Sequence, residues 1–210
     1  ARFWLKRFVA SYQSNLLFFC FIKAEAHALT RTEIVCGDVG HRTLLESEGH
    51  EARLCALVIL AERFKKDSET AVKFYLNHMK GINNWDLVDL SAPYILGVYL
   101  LDKNDRQVLY RLAESAVMWE QRVAIVSTLM FIRNGQFADT IKLAECFLNT
   151  RHDLMQKATG WMLREVGKRD EALLVSFLEQ YKKVMPRTML RYAIEKFSPD
   201  QRRYFMGKYK

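Results

Sequence analysis

From residue 50 onward apolar positions recur at three- and four-residue spacings, the period of helices that bury one face. Read with its caps and stops, the pattern predicts helices over 50–66, 68–80, 84–91, 93–102, 105–116, 118–133, 136–149, 153–168, 170–184, 187–197 and 199–208, with an earlier one over 3–22. Asp67, Asn84, Asp105, Asp153 and Ser198 stand where a side-chain oxygen can accept the first free N–H groups of a helix. Gly81, Gly135 and Gly167 stand where helices stop. Residues 23–49 show no clear period, because Gly37, Gly40 and Gly49 interrupt it. The short connections predict that successive helices pack as antiparallel neighbours.

The array also repeats. His50-Glu51-Ala52-Arg53-Leu54 aligns with Trp119-Glu120-Gln121-Arg122-Val123 and with Leu154-Met155-Gln156-Lys157-Ala158, a basic residue standing fourth each time. The offsets are two repeats and one of about 35 residues, and the intervening repeat begins at Trp85-Asp86-Leu87-Val88-Asp89. A helix pair of this length buries its apolar face only against the next pair. The fold class expected is therefore all-α: a right-handed-type solenoid of antiparallel helix pairs with a concave groove. Residues 1–210 are read as one repeat domain, with 1–49 as atypical N-terminal helices and 50–210 as the array.

Composition narrows the class further. Over 210 residues, half hydrophobic, there are only three prolines and nine glycines. That excludes disordered and collagenous chains and leaves few turns for an all-β fold. No apolar run approaches the length of a membrane span, so no membrane partner is expected. The net charge of +8 is uneven: residues 181–210 carry +7, residues 1–40 carry +2, and the middle is at −1. A basic C-terminal region on a neutral body suits a polyanion, although a solvated helix end fits it equally well. Cys20, Cys36, Cys55 and Cys146 have no C-x-x-C spacing, and Cys55 and Cys146 fall in apolar helical patterns, as small hydrophobes do. His27, His41, His50, His78 and His152 form no i, i+4 pair, so neither a metal nor an organic cofactor is expected. Arg2, Lys6 and Arg7 ahead of Leu16–Ile22 imitate a leader peptide, but the polar stretch between them is too long and no initiator Met is present. We expect a reducing, cytoplasmic setting, nucleoid-associated in a bacterium.

One helix face collects chemistry. Within the aligned repeats, Trp85 and Trp119 stand first, Arg122 fourth, Asp89 fifth and Trp161 eighth, which is a single i, i+3, i+4, i+7 stripe. Stacking would bring a carboxylate, a guanidinium and two or three indoles together. The plain alternative is that the tryptophans are core and that Asp89 and Arg122 form a structural ion pair. Pro93, four residues after Asp89, has no N–H for the Asp89 carbonyl, so a kink or a restart of the helix is expected there.

The segments Asn84–Asp89, Trp119–Ala124, Gln156–Arg169 and Pro186–Phe197 resemble the AlkD family of DNA alkylation-repair glycosylases. The resemblance runs from about His50 to the end, with its motifs in order. It implies HEAT-like repeats and a monofunctional glycosylase that removes cationic N3- and N7-alkylated purines from double-stranded DNA, acting as a monomer without cofactor. It further implies that Asp89 is the catalytic carboxylate, that Trp85 and Trp161 line the lesion site, and that Arg122 holds the DNA backbone. Lys157, Arg164, Lys168, Arg169, Arg187 and Arg191 are then candidates for phosphate contacts along the groove, with affinity falling as salt rises. Arg53 shares the fourth repeat position but reads equally well as a solvated charge. Residues 1–36, apolar and Phe-rich, depart from the family, and only Gly37-Asp38 echoes its N-terminal motif.

The residue types suit that reaction. An alkylated purine leaves as a good leaving group and exposes an oxocarbenium-like sugar, which a nearby carboxylate stabilises. Indole faces offer negative π density to the same cation. No lysine other than Lys157 lies on the stripe, so no imine-forming lyase is expected. Two other classes compete: a non-catalytic solenoid that reads DNA structure, and a protein-interaction scaffold, the common use of helical repeats.

Overall fold

A computed structural model describes residues 38–207, and every regular element among them is helical. We number the helices α1 (Asp38–Leu45), α2 (His50–Phe64), α3 (Ser68–Asn77), α4 (Trp85–Ser91), α5 (Val98–Leu100), α6 (Gln107–Ala113), α7 (Met118–Ser127), α8 (Leu129–Arg133), α9 (Ala138–Cys146), α10 (Asp153–Gly167), α11 (Glu171–Tyr181), α12 (Arg187–Ala193) and α13 (Pro199–Met206). The helix expected over 3–22 lies outside the described residues.

The repeat becomes two layers. Helices α2, α4, α7 and α10 begin at or next to the predicted repeat starts, and they pack each against the next, with α12 against α10. The intervening helices α3, α6, α9, α11 and α13 form the second layer. One continuous apolar core runs between the layers, from Leu45 through Leu57, Leu87, Ile125, Met155, Met162 and Leu190 to Phe205. Stacking, not propensity, carries most of this order, because helices as short as α4 or α12 are not stable alone. The architecture is thus the all-α solenoid expected from the repeat.

Helices α10 and α12 pack extensively and closely, and Gly160 permits it. A Cβ at that position would lie 2.5 Å from the Met189 carbonyl oxygen and 2.6 Å from the Tyr192 Cβ. Several caps are as predicted. Asp67 accepts from the Thr70 N–H at 3.1 Å, and Ser198 closes a reciprocal capping box with Gln201. Gly135 takes φ 74°, a conformation that glycine adopts without a Cβ penalty.

Other expectations need correcting. Pro93 does not end its helix: α4 and α5 are joined by a π-helical turn, Pro93–Gly97, in which the Gly97 N–H reaches the Ala92 carbonyl at 2.9 Å. The wider turn accommodates the missing N–H without a restart. The helix expected over 118–133 is interrupted at Thr128, whose hydroxyl takes the Ile125 carbonyl at 2.7 Å and competes with the ladder. His152, not Asp153, is the N-cap of α10, and Asp153 is that helix's first residue. A helix, α1, occupies part of the stretch that showed no period. Cys146 is exposed rather than packed, since it ends α9 on the outer layer, and Cys55 is half-buried.

The far end of the α4–α5 helix is tied down as well. Arg106 donates to the carbonyls of Leu100, Leu101 and Lys103 and to Asp139 of α9 at 2.7 Å. A guanidinium on the last carbonyls of a helix satisfies acceptors that have no N–H partner.

Candidate active site

The predicted stripe forms at α4, α7 and α10. Asn84 caps α4 by accepting the Trp85 N–H at 2.7 Å, so the first turn starts with the indole. Trp85 is 42% exposed, which removes it from the core. Asp89, one turn on and on the same side of the helix, keeps 19% of its side chain exposed. An exposed indole therefore stands next to a carboxylate that is mostly, but not wholly, withdrawn from water.

Arg122 of α7 grips that carboxylate. Its Nε donates to Asp89 Oδ1 and its Nη2 to Asp89 Oδ2, both at 2.9 Å. Its Nη1 donates to the Leu154 carbonyl at 2.6 Å, in the first turn of α10. One guanidinium thus joins three successive helices of the inner layer. Such a fork holds the carboxylate plane in one orientation. Arg122 itself is only 5% exposed. Three of its five N–H groups are used inside the fold, so its position here is at the carboxylate rather than out in solvent.

Burial pushes the Asp89 carboxyl up from the ordinary aspartate range. The charge of Arg122 and its two hydrogen bonds pull it down, and the neighbouring Asp86 charge pushes it up again. Behind Asp89, the buried Tyr75 hydroxyl pairs with Ser91 at 2.9 Å, and burial foremost keeps it protonated. Just past the carboxylate, Gly97 lets the helix pass against α7, where a Cβ would lie 2.3 Å from the Ser127 carbonyl oxygen. The Ser127 hydroxyl also donates to the Ala92 carbonyl at 3.3 Å. The helix carrying Trp85 and Asp89 is accordingly pinned to α7 at two places.

The indoles at the other stripe positions are less open. Trp119 and Trp161 are half-buried and pack against the core, and Trp161 lies on the same face of α10 as Leu154, two turns on. The packing expected in the plain alternative holds for these two in part, and not for Trp85.

The basic candidates divide into groups. Lys157 pairs with Asp153 at 2.5 Å, and Asp153 also faces Thr188 and Arg191 across the α10–α12 contact. The Lys157 hydrogen bond foremost holds the Asp153 carboxyl below its ordinary range. Arg164 is paired with Glu195 in the turn after α12, and Lys168 reaches Glu165 at 2.5 Å. Arg169 approaches the Glu165 carbonyl at 3.4 Å. Arg187 donates to the Met206 carbonyl at 2.6 Å, at the last turn of α13. Lys168, Arg169, Arg187 and Arg191 are exposed, whereas Lys157 and Arg164 are half-buried.

Two participants were not found from sequence. Asp86, next to Trp85 in the aligned repeat start, faces His50 of α2: His50 Nε2 lies 2.7 Å from Asp86 Oδ2. Arg53, left between contact and solvent, closes the α1–α2 loop by donating to the carbonyls of Ser47 at 2.8 Å and Glu48 at 3.0 Å. Arg53 stands at the marked fourth position and Asp86 at the unmarked second, and periodicity does not say which neighbour a polar side chain will choose. Among the described residues no group of three or more His, Cys, Asp or Glu side chains is placed to hold a metal, and no helix is long and apolar enough to cross a membrane.

Residues 37–197, well over half of the chain, match the family model described as "DNA alkylation repair enzyme". A search of curated proteins finds no match.

Proposed function

The chain belongs to the DNA alkylation repair enzyme family, and from that premise we propose that it is a monofunctional DNA glycosylase for N3- and N7-alkylated purines. A role in the repair of alkylated DNA follows from the family, with DNA as substrate. The observation that carries the finer reading is the partly exposed Asp89 carboxylate, forked by Arg122 and flanked by the exposed Trp85.

In the proposed reaction the C1′–N bond breaks and its electron pair leaves with the cationic base, which becomes neutral. The sugar is left oxocarbenium-like. Ionised Asp89 stabilises that charge and orients a water that attacks C1′, and the water's proton passes to the carboxylate or to solvent. Arg122 serves the step by holding both carboxylate oxygens, so that little reorganisation is needed as charge develops. Trp85, with Trp161 further along the stripe, provides aromatic surface for the sugar and lesion. Lys157 and Arg191, with Arg164, Lys168, Arg169 and Arg187, supply phosphate contacts, and the two N–H groups that Arg122 does not spend on Asp89 and Leu154 are available to a backbone phosphate.

The fork also favours a second reading, since a carboxylate so fully paired suits a structural ion pair in a non-catalytic DNA reader. Single-turnover incubation with duplex DNA bearing one N7-methylguanine or one N3-methyladenine separates the two. The glycosylase releases free base and leaves an alkali-sensitive abasic site with no strand cut of its own. A protein that binds the duplex and releases neither base is a reader.

A further inference from the structure

The inner-layer helices are linked by polar contacts that recur from repeat to repeat. Arg122 of α7 holds Asp89 of α4, and His50 of α2 holds Asp86 of the same helix from the other side. The His50–Asp86 contact is half-sheltered, with side chains 33% and 15% exposed. Asp86 Oδ1 accepts the Leu87 N–H at 2.9 Å, which leaves Oδ2 to face His50 Nε2 at 2.7 Å. Upstream, Arg53 fixes the loop that leads into α2, and thereby the place from which His50 reaches out.

Asp86 sits between the two residues that matter. It follows Trp85 directly and lies one turn before Asp89. We propose that His50 is a positioning residue of the excision site: by holding Asp86 it fixes the first turn of α4, from which Trp85 presents its indole beside Asp89. This rests on the glycosylase reading above and names a residue outside the Trp–Asp–Arg–Trp stripe that serves it. No atom of His50 needs to touch DNA. Besides this contact the Asn84 cap holds the start of α4, and the Asp89–Arg122 fork grips the helix one turn later. Asp86 also acts through charge. The charged or titratable groups that face Asp89 are Asp86 on its own helix, Arg122 from α7 and Tyr75 from α3, and the Asp86 charge raises the Asp89 carboxyl.

Two readouts test this on the full chain. The first is single-turnover release of N7-methylguanine from duplex DNA across pH, for the parent, His50→Ala, His50→Gln and Asp86→Asn. We expect His50→Ala to be slower by about tenfold, within the roughly hundredfold that a misplacement of about 1 Å can cost. His50→Gln, whose amide N–H can meet the same carboxylate oxygen, recovers most of the rate. Asp86→Asn moves the acid limb of the profile to lower pH, which a merely structural loss would not do. The second readout is the indole N–H resonance of Trp85 in DNA-free protein, assigned with Trp85→Phe. It shifts in His50→Ala and returns in His50→Gln. Parental rates in His50→Ala, or an indole signal that His50→Ala leaves unmoved, would overturn the proposal. If the parent itself releases no base, the glycosylase reading fails, and the indole signal still decides whether His50 positions Trp85.

Discussion

Replacing Arg122 by methionine keeps most of the side-chain volume and removes the charge, which isolates the energy of the fork. The variant leaves the Asp89 carboxylate unpaired and frees the Leu154 carbonyl. Breaking a fully buried pair costs about 3–5 kcal/mol. Because 19% of the Asp89 side chain reaches water, we take the lower end, about 3 kcal/mol at neutral pH. The pH dependence is the sharper part. Burial already places the folded-state pKa of Asp89 above its unfolded value, so ionised Asp89 costs stability as pH rises from the unfolded pKa. Arg122 lowers that folded-state value, so its removal raises the value further and the variant loses more stability than the parent over the same rise. At a pH low enough to protonate Asp89 in both, the difference shrinks toward the loss of the guanidinium's hydrogen bonds to uncharged acceptors, about 1.5 kcal/mol. Urea unfolding followed by circular dichroism, from about pH 7.5 down through acid pH until the difference levels off, measures both values. Adding Asp89→Asn to Arg122→Met should restore about 1.5 kcal/mol at the higher pH and almost nothing at the lower, since asparagine resembles the protonated acid. An equal loss at the two ends of that range, or no rescue by Asp89→Asn, would refute the view that Arg122 is held there by an otherwise unpaired carboxylate.

Other outcomes follow from single sites. Trp85→Ala should leave the melting temperature within the change of a surface substitution, about 0.5 kcal/mol, while slowing single-turnover base release, because the indole is 42% exposed. Parental release by that variant would remove Trp85 from the site. Gly160→Ala should destabilise by about 1–3 kcal/mol in denaturant unfolding, since its Cβ meets the Met189 carbonyl oxygen at 2.5 Å. Arg191→Ala should weaken duplex binding and reduce the slope of log K against log salt by about one, as expected for one lost phosphate contact. An unchanged slope would place Arg191 off the DNA.

The repeat starts were legible because three of them share a basic fourth position followed by an apolar run and their offsets place the other at Trp85, and α2, α4, α7 and α10 begin at or within one residue of them. Asp89 and Arg122 were legible as a candidate pair because they fall at adjacent positions of consecutive repeats. Pro93 was legible as a perturbation but not in its outcome: a missing N–H can be met by a break or by a π-turn, and Gly97 packing on Ser127 belongs to the tertiary contact. The short α1 was hidden because its stability comes from docking. His41 buries against α2, with its ring nitrogen 3.2 Å from the Ala56 carbonyl, and Arg63 pairs with Asp38. Arg164 shows a similar limit. The stripe marks it as a basic position but does not show that the Glu195 carboxylate, in the turn after α12, lies beside it.

The most direct test of the account is base release from duplex DNA carrying a single N7-methylguanine, with the parent protein and Asp89→Asn compared at neutral pH and matched DNA occupancy. Asparagine keeps the shape of the side chain and can still accept from Arg122, but it cannot offset a developing positive charge. The parent should release the base, and Asp89→Asn should bind the same duplex and release it more slowly by at least about a hundredfold, the scale of losing one electrostatic contact in a transition state. Release by Asp89→Asn at the parental rate would contradict the account.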